Sequence, residues 1–342
     1  MVDFAPGPLP TQDVLFAVDR VAGRILLNRP RALNALNAPM VASALAQLRE
    51  WERDEAVRTI VIEGAGDRGL CAGGDVRFLR EQAATDPEAA QGFWREEYAL
   101  DHAIATSGTP VVAVMDGVVM GGGVGLSAYA SLRVATERSR VAMPETIIGF
   151  FPDVGATWLL SRAPGELGTH MALTGATISG GDAVAVGLAD TVVASADIPR
   201  LVERLAAWEE LGPEVGDVEP ESALMGERSW IDECYAGDDP AVILDRLTSH
   251  PDPAARRAGA DLAARSPLAV AVTLEALRRA ARLESLREVL DQDEVLGRHF
   301  LAETSDFSEG VRAQLVDKDR NPTWRHASLA DVTRDEVLAF FD

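Results

Sequence analysis

Two acidic side chains sit inside an otherwise apolar stretch, Ala142-Met143-Pro144-Glu145-Thr146-Ile147-Ile148-Gly149-Phe150-Phe151-Pro152-Asp153-Val154-Gly155. Carboxylates among apolar neighbours are poorly hydrated, which raises their proton affinity and suits them to proton transfer or nucleophilic attack. The plain alternative is structural: Asp153 caps a helix that begins near Val154, and Glu145 pairs with an arginine. Two glycine clusters are the other candidates, Cys71-Ala72-Gly73-Gly74-Asp75 and Met120-Gly121-Gly122-Gly123-Val124-Gly125-Leu126. Glycine lets a ligand approach the main chain, and amides at the start of a helix are free to donate to an oxyanion or a phosphate. A tight turn or a close helix contact explains either cluster taken alone. The acidic pair Glu96-Glu97 reads as a solvated helical face unless its helix lines the same pocket, and Asp75 reads as an early helix charge that favours the dipole.

Several chemistries lose support. Neither glycine cluster fits G-x-G-x-x-G, since the sixth position from Gly121 is Leu126, and neither ends in Lys-Ser/Thr, so dinucleotide and NTP binding are disfavoured. Ser127 lies in Gly-Leu-Ser-Ala-Tyr, not in the G-x-S-x-G of a nucleophile elbow. Cys71 and Cys234 are too few for a disulfide framework, and neither they nor the five histidines show metal spacing. The expectation is no bound metal and a reducing compartment, the cytoplasm.

These residues must be positioned by elements. Val14 to Asp19 and Arg24 to Asn28 read as a strand pair turned at Ala22-Gly23. Val41, Leu45, Leu48 and Trp51 recur at helical spacing, so a helix follows Pro39 and ends at Trp51. Val57 to Glu63 reads as a buried strand, Pro87 to Ser107 as a helix and Val111 to Met115 as a strand. Strand, glycine loop and helix thus recur at Ile60 to Arg80 and at Val111 to Ala130, which suggests stacked ββα units. After about residue 195 helical patterns dominate: Ile198 to Leu211, Pro240 to Leu247, Pro253 to Arg265, Pro267 to Leu290 and Glu294 to Thr304. Gly212 to Pro220 reads as a linker or surface loop. This divides the chain into a core at 1–200 and a helical region at 201–342.

With these motifs in view, the chain resembles the crotonase, or enoyl-CoA hydratase/isomerase, superfamily, and within it the 3-hydroxyisobutyryl-CoA hydrolase branch. The resemblance rests on Asn34-Ala35-Leu36-Asn37, Cys71 to Val76, Met115-Asp116-Gly117, Met120 to Ser127, Val134-Ala135-Thr136-Glu137, Ala142 to Gly155 and Glu309 to Pro322. It implies an α/β fold, a crotonase-like spiral of ββα units with a mainly helical C-terminal region. It implies an oxyanion hole made by the amides of Gly74 and Gly122 around a thioester carbonyl. Hydratases of the superfamily carry a glutamate right after the GGG-x stretch and another in the Pro-Glu motif; here the first place is Gly125 and the second Glu145. The resemblance therefore implies thioester hydrolysis, a step of valine breakdown, with Glu145 as nucleophile or general base and Asp153 on the 3-hydroxyl. Glu97 would line the acyl site, and Pro30 to Asn37 with Ala72 to Asp75, including Ala35, Leu36, Ala72, Gly73 and Asp75, would cradle the CoA. The alternatives are a crotonase-type isomerase or hydratase and a non-catalytic CoA-binding subunit. CoA enters as part of the substrate, with no tightly bound cofactor, and family resemblance implies a trimer or hexamer.

The 342 residues carry 54 acidic and 32 basic side chains, a formal charge of −22, yet 47% are hydrophobic. That composition buries a core and repels a phosphate backbone, so nucleic acid is not an expected partner. The N-terminus lacks the pattern of a signal peptide, and the uncharged stretch before Arg133 falls short of the roughly 20 apolar residues that span a bilayer, so no membrane is expected. An anionic CoA would need a local basic patch, for which Arg29, Arg31, Arg77 and Arg80 are the nearest candidates, each also readable as a plain surface charge.

Overall fold

Apolar alternation in Val14–Asp19 (β1) and Ala22–Leu27 (β2) makes an antiparallel hairpin in which Val14 pairs with Leu27 and Asp19 with Ala22. The turn is therefore Arg20-Val21, not Ala22-Gly23. A two-residue hairpin loop needs positive φ, and Arg20 supplies it at +53°. Gly23 lies within β2 and serves packing, because a methyl group there would come 2.6 Å from the Trp51 ring.

The computed structural model describes residues 2–209, 221–301 and 305–342; the linker expected at Gly212 to Pro220 lies outside them, as do the last residues of the helices expected to reach Leu211 and Thr304. The further strands are Thr59–Gly64 (β3), Gly69–Cys71 (β4), Val111–Met115 (β5), Val118–Met120 (β6), Leu132–Thr136 (β7), Arg140–Ala142 (β8), Ile178–Ser179 (β9) and Thr191–Val193 (β10). The helices up to residue 206 are Ala38–Trp51 (α1), Val76–Thr85 (α2), Pro87–Thr106 (α3), Gly122–Ala128 (α4), Ala156–Leu160 (α5), Leu167–Thr174 (α6), Gly180–Ala185 (α7) and Ile198–Ala206 (α8). The C-terminal region is helical: Ala223–Gly226 (α9), Arg228–Tyr235 (α10), Pro240–Ser249 (α11), Pro253–Ala263 (α12), Pro267–Ala280 (α13), Leu286–Phe300 (α14), Asp306–Val311 (α15) and Arg334–Leu338 (α16).

A six-stranded sheet runs β1-β2-β3-β5-β7-β10, parallel from β2 onward, and a four-stranded sheet runs β4-β6-β8-β9. Strands buried on both faces read as unbroken apolar runs, as Val111–Met115 does. One face of the larger sheet is covered by α8, whose Leu201, Val202 and Leu205 pack with Val61, Val112, Val114 and Val134. The chain divides into two compact units, one from Met1–Asp75, Arg95–Val141 and Ile178–Ser222, the other from Val76–Trp94, Ala142–Thr177 and Ala223–Asp342.

Helix starts follow the sequence closely. Asp239, Asp252 and Ser266 cap α11, α12 and α13, each just before a proline at the first helical position. The helix expected from Pro267 to Leu290 is instead two helices. Ser285 accepts from the Glu288 amide while the Glu288 side chain bonds back to Ser285, a capping box that begins α14.

Candidate active site

In the first unit the two glycine clusters lie side by side. The Ala72 amide donates to the Leu33 carbonyl at 3.0 Å, the Leu36 amide to Gly73 at 2.8 Å and the Asp75 amide to Leu36 at 2.8 Å. Leu36 and Gly74 thus form a parallel bridge that uses the Gly73 carbonyl and the Asp75 amide, so the amide of Gly74 itself points away from Leu36. Gly73 has φ +103°, and a methyl group on it would lie 3.3 Å from the Met120 carbonyl oxygen and 3.7 Å from the Gly122 nitrogen. Gly122 opens α4, where an amide has no carbonyl partner inside its helix. Asn34, buried with φ +55°, holds the neighbouring loop: its amide group donates to the carbonyls of Ala65 and Gly69, and its oxygen accepts from the Arg29 amide.

Two acids of α3 are buried against α4. Glu97 is 2% exposed and Asp101 0%, one helical turn apart, whereas Glu96 is exposed; the acidic pair is therefore not a solvated face but one buried acid beside one solvated one. A methyl group added at Gly122 would overlap the Glu97 carboxylate and approach Leu36 Cδ1 at 3.1 Å. One added at Gly125 would lie 2.7 Å from Asp101 Oδ2. Sequence reasoning passed over Asp101; its only sign is its position four residues beyond Glu97. Burial first, then the charges of Glu97 and Asp101, push the Cys71 thiol up to about 12, so it stays protonated and inert.

In the second unit Glu145 opens a short 3-10 turn, Glu145–Ile148, that Gly149 closes at φ +71°. The Glu145 carbonyl accepts from Phe150 at 3.0 Å, and a side chain on Gly149 would strike the Asp306 main chain in α15. Phe150 stacks on Trp94 at 4.9 Å and meets Phe300 at 5.3 Å, while Phe151 stacks on Phe300 at 5.6 Å. This aromatic cluster anchors the Phe-Phe-Pro segment, which carries a buried carboxylate toward each end, Glu145 7% and Asp153 6% exposed. Gly155 is the N-cap of α5, so Asp153 is not the side chain that caps that helix. The unforeseen residue is Asp293 of α14, fully buried, which accepts from the Gly155 amide at 2.8 Å. Burial, then the charge of Asp153, pushes its carboxyl well above the usual range.

The structure brings Leu36, Gly73, Gly74, Glu97 and Gly122 together in the first unit, with Ala35 and Ala72 half-buried on the bridged loops, and it places Glu145 and Asp153 at the two ends of one segment of the second. Asp75 is not merely an early helix charge: it binds Arg29 at 2.9 Å. Arg29 also donates to the Ala35 carbonyl, Arg77 to Leu315 and Arg80 to Ser308, which leaves Arg31, exposed, as the candidate phosphate contact without such a role among the described residues. Among the described residues no group of three or more His, Cys, Asp or Glu is placed to hold a metal, and no helix is long and apolar enough to cross a membrane.

A six-stranded and a four-stranded sheet, paired glycine loops and a helical C-terminal region make this an α/β fold of the crotonase type. The family model for enoyl-CoA hydratase/isomerase matches residues 22–341, and the chain belongs to that family, as a crotonase-fold acyl-CoA enzyme. It is 39% identical to the mitochondrial 3-hydroxyisobutyryl-CoA hydrolase of Rattus norvegicus over 97% of this chain and 89% of that protein. Among solved structures, a carnitinyl-CoA dehydratase from Mycobacterium thermoresistibile is 45% identical with TM-score 0.90, covering 97% of each chain. An enoyl-CoA hydratase from Rhodobacter sphaeroides 2.4.1 is 42% identical with TM-score 0.92, covering 96% of this chain and 97% of that one. Proteins described as hydrolase, dehydratase and hydratase thus resemble this chain about equally.

Proposed function

We propose that the chain is a thioesterase that hydrolyses 3-hydroxyisobutyryl-CoA to 3-hydroxyisobutyrate and CoA. The observation that carries this reading is at residue 125. There a glycine is packed against the Asp101 carboxylate, so a side chain at the position where hydratases of the superfamily carry their first glutamate must displace a fully buried acid. Glu145 and Asp153 remain, both buried, and hydrolysis needs one carboxylate at the acyl carbon rather than two around a water.

In the proposed reaction the amides of Gly74 and Gly122 bind the thioester oxygen as negative charge develops on it, each donor worth roughly 3 to 4 kcal/mol. Glu145 either attacks the acyl carbon, so that a C–O bond forms, the C–S bond breaks and CoA leaves as thiolate, or removes a proton from the water that attacks. The first route gives a mixed anhydride, which water then cleaves. Asp153 accepts a hydrogen bond from the 3-hydroxyl, and Glu97 lines the acyl site beside Gly122. The Pro30–Asn37 and Ala72–Asp75 loops carry the pantetheine and adenine ends.

Release of free thiol from 3-hydroxyisobutyryl-CoA is the test. The wild type should release it and Glu145→Gln should not, while still binding the thioester; a wild type that leaves the thioester intact ends the hydrolase reading. A second reading, hydration or dehydration of an acyl-CoA, is favoured by the descriptions of the 45% and 42% identical structures. It predicts loss of the enoyl absorbance of crotonyl-CoA with no thiol released. Both cysteines are free and buried, in keeping with a reducing compartment such as the cytoplasm. A trimer or hexamer, expected from the family, is tested by light scattering.

A further inference from the structure

We propose that Asp293 is a positioning residue for Asp153: it pins the main chain two residues beyond that acid and thereby fixes the direction in which the Asp153 carboxylate meets the acyl hydroxyl. The inference rests on the role given to Asp153 above. Asp293 projects from the middle of α14, a helix fixed at its start by the Ser285–Glu288 capping box and further along by Trp94 against Gly297. Its Oδ2 takes the Gly155 amide at 2.8 Å across 138 residues of sequence, while Oδ1, equally buried, has no hydrogen-bond partner among the described residues.

What Asp293 holds is a strained link. Val154 has φ +52° and Gly155 φ +72°, two successive left-handed residues, and the first is a fully buried β-branched side chain. A valine in that region persists only where its surroundings over-determine it, and such strain is characteristic of segments that aim a functional group. The Gly155 amide lies on the peptide that joins these two residues, so the bond to Asp293 holds the link at its centre. A buried acid that accepts it in neutral form anchors the turn without placing a second negative charge beside Asp153. Burial and the nearby Asp153 charge favour that form.

The test compares thiol release from 3-hydroxyisobutyryl-CoA and from isobutyryl-CoA, which lacks the hydroxyl. Asp293→Ala should lower kcat/KM for the hydroxylated thioester roughly tenfold to a hundredfold, as misplacement of a binding group does, and leave the unsubstituted thioester little changed. Asp293→Asn, neutral and still able to accept from Gly155, should behave as the wild type on both. Equal slowing of the two thioesters by Asp293→Ala, or an asparagine variant as impaired as the alanine one, overturns the proposal. Should the alanine variant not fold, Asp293→Ser, whose hydroxyl is too short to hold Gly155 in the same place, carries the same comparison. Asp153→Ala is run in parallel. If it slows both thioesters equally, the hydroxyl role of Asp153 falls and this inference with it; if it discriminates and the Asp293 variants do not, Asp293 alone is refuted.

Discussion

Gly125 and Gly122 are separated by less than one helical turn, and each faces a different acid of α3. At Gly125 a methyl group would already lie 2.7 Å from Asp101 Oδ2. Gly125→Glu should therefore fail to create a hydratase: a second carboxylate forced against a fully buried one belongs to the substitutions that cost about 4 kcal/mol or more. Chemical denaturation reads the stability and crotonyl-CoA the activity; a Gly125→Glu protein as stable as the wild type that hydrates crotonyl-CoA would remove the main support for hydrolysis. At Gly122 the smallest side chain meets Glu97, so Gly122→Ala, which keeps the amide but crowds the acyl site, should cut thiol release on the order of a hundredfold, the scale of a misplaced reacting group. The amide itself survives the substitution, so unchanged turnover in that variant would show that a methyl group at 122 does not crowd the acyl site. Glu145 and Asp153 stood out in the sequence because acids are rare in apolar runs. Asp101 and Asp293 did not, because an acid within an amphipathic helix looks the same whether it faces water or the core, and only packing separates Glu97 from Glu96.

At the level of elements the sequence was clearest where the local signal is chemical. Proline after Asp or Ser marks the starts of α11, α12 and α13, and Ser285-x-x-Glu288 divides what hydrophobic spacing alone joins into one helix. The second sheet was not legible, since strands of two or three residues carry no periodicity and form through partners distant in sequence. Nor was α6, whose residues Leu167–Thr174 are all buried and so show no polar face. His170 of α6 meets the Tyr235 hydroxyl of α10 at 2.9 Å and the edge of Trp230, and burial lowers its pKa to about 4. In the unfolded chain this histidine takes a proton near pH 6.5, whereas the folded one refuses it until about pH 4. The unfolded state binds more protons in that window, so stability falls as pH drops through it, by roughly 1.4 kcal/mol per pH unit. Urea denaturation at pH 7 and pH 5 should show wild type losing more stability than His170→Gln. Parallel losses in the two proteins would mean that the buried ring is not the group responsible.

For the whole molecule the sequence shows the excess of acid but not how its few cations are used. Arg312 holds Glu309, Asp317 and Asp319, Arg278 holds Glu166 and Asp238, and Arg133 holds Asp190. Arg29, Arg77 and Arg80, which the sequence offered for the CoA phosphates, are likewise turned to Asp75, Leu315 and Ser308. Each internal pair removes a cation from ligand binding, and the −22 charge remains as a field that a phosphate-bearing ligand must enter. Screening weakens such a field, since the Debye length shortens from about 30 Å at 0.01 M to about 10 Å at 0.1 M salt. Raising salt over that range should therefore lower KM for the CoA thioester and leave the matching pantetheine thioester, which carries no phosphate, unaffected. A KM for CoA that instead rises with salt would mean that local cations outweigh the net charge. Arg31, exposed on the turn before Leu36, would then be the first side chain to replace, because Arg31→Ala should abolish that rise if it alone holds a phosphate.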